Sequence, residues 1–161
     1  MSDTDPEKTL DDLLTDLRIA MFTTVTDDGT LRSIPMARQE TDLDPAELWF
    51  ITAKDTEHTQ DVAKRPDVQL TFSSSDSWVA LTGRAEVVDD LAKLKELWSS
   101  FAEAWLPEGP EGSNSTLIKV RVDRAEYWDT PGSKVATAIS LVKSKVTGEP
   151  YKSDHGVVEN P

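Results

Sequence analysis

The chain has 161 residues, an apolar share of 37%, five tryptophans, no cysteine and a formal net charge of −13. That length fits one domain with enough apolar side chains for a core, and the missing cysteine excludes a disulfide scaffold, thiolate metal ligands and thiol catalysis. The acidic balance, with no run of Lys and Arg, argues against nucleic acid and against an anionic membrane surface, since clustered cations hold both.

The segment MSDTDPEKTL is acidic and has no apolar run, so no signal peptide is expected. No uninterrupted apolar stretch approaches the roughly 20 residues of a spanning helix. The expectation is a soluble, cytoplasmic protein.

Pro6 suits a first helical turn with Asp5 as cap, and Leu10, Leu13, Leu14 and Leu17 recur at helical spacing. Ile19 to Thr26 reads as a strand, Asp27-Asp28-Gly29 as a hairpin turn, and Leu31 to Arg38 as the returning strand. Pro35 inside that strand implies an edge, a bulge or a place where a ligand replaces a neighbour. Asp42 to Pro45 is a turn and Glu47 to Thr52 a third strand. A helix then begins near Gln60 and stops at Arg65-Pro66, because the residue before proline avoids the helical region.

Val68 to Ser73 and Trp78 to Val88 are strands joined by a polar turn. Asp89 or Asp90 caps one helix that carries Leu91, Leu94, Leu97, Trp98 and Phe101 on a single face. By that phase Trp98 belongs to the core. PEGPEGSN is a loop, and Thr116 to Trp128 is a last long strand. Val135 to Val142 suits a helical turn or two, and the polar stretch after Gly148 predicts an arm or a disordered end. The division is therefore a domain over 1–130 and an arm over 131–161. Five or six strands in hairpin order favour an antiparallel sheet that curls or closes to protect its edges.

Three groups of residues bear on chemistry. Between the third strand and the next helix lie Thr52, Lys54, Thr56, His58 and Thr59, all donors. They suit a phosphate at a helix start. The alternative is a helix cap at Thr56 with Lys54 and His58 in solvent, which is the commoner outcome for such a turn. Arg32 and Arg38, an even number of positions apart, face one side of a regular strand, either reaching an anion or lying in solvent. Trp78 and Trp128 sit at strand ends, where a planar ligand or a subunit contact suits them. Two distant histidines, His58 and His155, give no metal-ligand spacing, and no serine has a nucleophile-elbow setting.

The LRSIPMA strand, the WFITAKDTEH strand-turn-helix, the WVALTGRAEVVDD strand and the later AEYWD occur in an order that resembles the flavin-binding split-barrel family related to pyridoxamine 5′-phosphate oxidase, most closely its general-stress-protein branch. The resemblance spans roughly residues 8 to 130. It implies a mainly β fold, a six-stranded antiparallel split barrel with flanking helices, a homodimer, and FMN at the dimer interface. It places Arg32, Ser33, Ile34, Pro35 and Met36 along the flavin ring and ribityl chain. Ile51 and Thr52 then lie at the flavin, with Lys54, Thr56 and His58 toward the phosphate and Trp78 and Trp128 facing the cofactor. Trp105 and Tyr151 are further candidates for lining the cleft.

Two departures from the family pattern stand out. Relatives often carry Lys or Arg where this chain has Glu57-His58, so phosphate binding here is expected to be weaker or more pH-dependent. The Arg-x-His substrate motif of the true oxidases is missing from GEPYKSDHGVVENP, so oxidation of pyridoxamine phosphate is not expected. The function implied is a flavin-binding homodimer with flavin-dependent oxidoreductase chemistry. A non-catalytic flavin carrier, or a split barrel holding FAD, a deazaflavin or haem, are the alternatives.

Overall fold

The computed structural model describes residues 6–39, 46–130 and 154–161. The predicted turn over 42–45, the helical turns over 135–142 and Tyr151 lie outside the described residues.

Helix α1 (Pro6–Asp16) leads into the hairpin β1 (Ile19–Val25) and β2 (Leu31–Ala37). Gly29, at φ 84°, closes that hairpin, a left-handed conformation that favours glycine. β3 (Glu47–Ala53), α2 (Glu57–Lys64), β4 (Asp67–Ser73) and β5 (Ser77–Val88) follow, then α3 (Leu91–Leu97), α4 (Ser100–Trp105), β6 (Ser115–Asp129) and β7 (Asp154–Glu159). The strands form one antiparallel sheet in the order β2-β1-β4-β5-β6-β3, with β7 also on β6.

Strict alternation drives the closure. In β4, Val68, Leu70 and Phe72 point inward while their neighbours face out. Phe22 of β1 and Phe50 of β3 meet edge to face, with ring centroids 5.3 Å apart. Each buries a whole aromatic side chain, a contribution of about 2–3 kcal/mol. Leu10 and Leu14 of α1, and Leu17 just after it, are buried in this core. At the Thr82/Gly83 bulge, a Cβ on Gly83 would collide with the Arg121 carbonyl, so the bulge admits only glycine.

The sheet has seven strands among the described residues, not six, and the segment expected to be an arm contains the seventh. The reason lies in β6, whose first half pairs with β3 up to Arg121. From Arg124 to Asp129 that same edge needs another partner, and β7 supplies it. Gly156 lies against the face of Tyr127, leaving no space for a Cβ.

The single helix expected after Asp90 is two. Asp90 caps α3, accepting from the backbone N–H of Lys93 at 3.0 Å. Ser99 then caps α4 by accepting from Ala102 N–H at 3.3 Å, which ends the first helix at Trp98. Trp98 is partly buried against the small Leu94–Leu97–Leu117 cluster, while Leu91 and Phe101 are half-exposed.

The two ends of the sheet meet at one place. Arg38 forms an antiparallel bridge with Phe50, and Gln39 N–H donates to Trp49 O at 2.8 Å. The alternation of burial continues through Arg38, in phase with Arg32, Ile34 and Met36, but Arg38 sits far deeper. Its guanidinium is buried and donates from Nη2 to Leu14 O at 2.5 Å. Past this bridge, β2 and β3 carry no ladder between them, and the barrel is split.

A candidate cofactor cleft at the open seam

A cleft of about 390 Å³ occupies the split. Ile34, Pro35 and Met36 of β2 form one wall, and Ile51 and Thr52 of β3 the other. Thr56 and His58 close the end at the start of α2. The cleft is within the size range of cofactor sites. Among the described residues that line it, none is Lys, Arg, Asp or Glu.

The polar end is built by the turn between β3 and α2. Thr52 sits at a buried position of β3, and its Oγ1 shares a 2.7 Å hydrogen bond with His58 Nε2. Thr56 Oγ1 lies 3.2 Å from the same nitrogen. Thr56 Oγ1 donates to Ala53 O at 3.0 Å, and Thr59 Oγ1 donates to that carbonyl at 2.9 Å. Thr56 stands at the helix N-cap position, yet its side chain does not cap. The first-turn N–H groups of α2 therefore receive nothing from it, and they carry the positive end of the helix dipole. Burial lowers the pKa of His58, and Arg32 lowers it further, against an opposing pull from Asp61. The imidazole is thus neutral near pH 7.

The remaining candidates lie elsewhere. Arg32 stands at the end of the β2 wall, with Nε 3.2 Å from Asp61 Oδ2 and Nη1 paired to Glu57. Ser33 faces away, its hydroxyl 2.7 Å from that of Thr23. Lys54 turns toward Asp89, at 3.5 Å. Trp78 and Trp128 are cross-strand neighbours on β5 and β6, and the ring of His155 stacks on Trp128 with centroids 5.2 Å apart. These two tryptophans do not line the cleft of their own chain.

A third wall comes from α4, where Trp105, a cleft candidate from the sequence, is joined by neighbours the sequence does not single out for it. Phe101, Trp105 and Leu106 of α4 and its end line the cleft together with Ile19 and Gln39. The Phe101 and Trp105 rings lie 6.5 Å apart. Their i, i+4 spacing marks one helix face in the sequence, and both rings are exposed on it.

An uncharged, mostly apolar cleft with hydroxyl, imidazole and helix N–H groups at one end has the chemistry for a planar cofactor carrying a polar tail. A split barrel with such a cleft at its open seam defines the class. The chain belongs to the family described as "Pyridoxamine 5'-phosphate oxidase like", which it matches over residues 5–152. It is similar to a general stress protein 26 from Jannaschia, with 29% identity, a TM-score of 0.78, and 95% of this chain and 97% of that one covered. It is also similar to the general stress FMN/FAD binding protein of Xanthomonas citri, with 26% identity, a TM-score of 0.67, and 80% and 90% covered. Protein bli-3 of Neurospora crassa is 24% identical over 152 residues, 88% of this chain and 73% of that protein. No helix among the described residues is long and apolar enough to cross a membrane.

Proposed function

We propose that the chain binds FMN as a homodimer and serves as a flavin-dependent redox protein. The observation that carries this is the slot itself: apolar walls from β2, β3 and α4, closed by Thr52, Thr56 and His58 at the start of α2. The walls fit an isoalloxazine ring, and the backbone of the proline-containing edge strand β2 faces it. The name of the Xanthomonas citri protein, which includes FMN/FAD binding, supports the same reading.

When bound, the flavin would supply hydride or electron transfer at its N5 position. This chain's own groups would do less. Ile34, Met36, Ile51 and Trp105 would hold the ring and exclude water, and Thr52 would accept or donate a hydrogen bond at its edge. Thr56, His58 and the α2 N–H groups would meet the polar tail.

Support for the dimer comes from the outer sheet face. Pro35, Met21 and Thr71 lie in one cross-strand row, exposed and uncharged, which runs on through the half-buried Ala80 to Glu126. A second copy would cover that row and bring Trp78 and Trp128 toward its partner's cleft.

A non-catalytic flavin carrier is the second reading. It is favoured by one feature: His58 is the only titratable group among the described lining residues, and two threonines engage it.

The test is the absorbance spectrum of the purified protein, followed by mass identification of what denaturation releases. Oxidised-flavin bands and released FMN are expected. A colourless protein that stays colourless with added FMN ends both readings. Turnover of NAD(P)H by the loaded protein separates the redox protein from the carrier.

A further inference from the structure

Arg32 lies close enough to the cleft residue His58 to act on its charge, it lines a second pocket together with Glu57 and Asp61, and its Nε and Nη1 are paired. Alternation along β2 puts Arg32 on the same face as Ile34 and Met36, which line the cleft. Its Nε is held 3.2 Å from Asp61, a buried carboxylate that also accepts from Thr24 Oγ1 at 3.0 Å. Its Nη1 pairs with Glu57, at the first position of α2, immediately beside His58. Asp61 is buried and Glu57 is mostly exposed. One carboxylate therefore anchors the guanidinium, and the other, free to swing into solvent, covers its outward donor.

This arrangement sets a charge preference. A phosphate monoester at the α2 start that reaches for Arg32 finds its Nη1 already taken by the Glu57 carboxylate. It must displace that carboxylate to gain the paired hydrogen bonds that a guanidinium gives an oxyanion. A neutral ribityl end meets no such competition. Resting on the flavin reading of the cleft, we propose that Glu57 is a specificity-determining residue: by occupying Arg32 it removes most of the advantage of a phosphorylated flavin over an unphosphorylated one. The ligand class the cleft accepts is thus flavin with or without its phosphate. Glu57 sets the ratio, and Asp61 is the positioning residue that keeps the guanidinium in reach.

The test is fluorescence titration of the full chain with riboflavin and with FMN, in the parent, in Glu57→Gln, in Arg32→Gln and in the double variant. The parent is expected to bind the two ligands within about three-fold of each other. Glu57→Gln is expected to tighten FMN about five-fold, the scale of one freed charge-assisted contact, and to leave riboflavin within about two-fold. In the Arg32→Gln background the same substitution should change neither affinity. Equal tightening of both flavins by Glu57→Gln, or none for FMN, overturns the proposal while leaving the flavin reading standing. So does a gain that persists without Arg32. Failure of both ligands to bind the parent overturns the flavin reading and this inference with it. Glu57 is largely exposed, so its substitution leaves the core untouched, and a matching thermal melt checks that.

Discussion

The closed and the open ends of the β2–β3 seam use the same two strands to opposite ends. At the closed end Arg38 and Gln39 reach Trp49 and Phe50, and the Arg38 guanidinium donates to the Leu14 and Gln39 carbonyls. At the open end Met36 and Thr52 flank a gap, and the polar groups are short hydroxyls and one imidazole. The difference teaches where stability stops and binding starts. Residues on the closed side should carry folding free energy and little affinity, and residues on the open side the reverse.

The sharpest way to break this contrast is at Phe50. Phe50→Ala removes a fully buried ring and its edge-to-face partner, and should cost about 3–5 kcal/mol in urea unfolding. A loss below about 1 kcal/mol would mean the closed seam is not structural. Arg38→Met, which strips a donor from the Leu14 carbonyl, should cost about 2 kcal/mol in the same assay.

On the open side, Trp105→Ala should leave unfolding within about 0.5 kcal/mol, because the ring is three-quarters exposed at 75%. Flavin affinity should fall about ten-fold if the ring stacks on the ligand. The contrast fails if the two effects trade places.

His58→Gln gives the smallest and most specific effect. The folded pKa of His58 lies below its ordinary 6.5, so the unfolded chain binds more protons there. Stability therefore falls as pH drops from about 6.5 toward the folded value, and is fully restored above 6.5. The variant should flatten that window in melts taken across it. A phosphate beside His58 favours the imidazolium, so FMN affinity in the parent should weaken from about pH 5.5 to about 8.5 and lose that His58-dependent part in the variant. Identical pH profiles for parent and variant would detach His58 from the phosphate.

Most of the barrel was legible because its signals are local. The β1–β2 hairpin announces itself in Asp27-Asp28-Gly29, and β4 in a strict alternation that depends only on neighbouring residues. The turn from Thr52 to His58 was legible as a cluster of donors, since its hydrogen bonds span six residues or fewer. Pro35 marked an edge, and β2 is an edge strand.

Tertiary structure alone decided the rest. Asp154–Glu159 has only Val157 and Val158 as strand formers, and becomes β7 because β6 outruns β3 and leaves an edge to be paired. Arg32 and Arg38 look alike in sequence. One ends among carboxylates on α2, and the other is buried beside Leu14 of α1, because different helices lie over the two ends of the strand. The Glu57–Arg32 pair joins residues 25 apart along the chain, beyond the reach of any local pattern. Alternation, turn chemistry and caps act within a few residues and are written in the sequence. Which charge finds which partner depends on where the closed sheet brings distant strands and helices together, and that is settled only when the barrel forms.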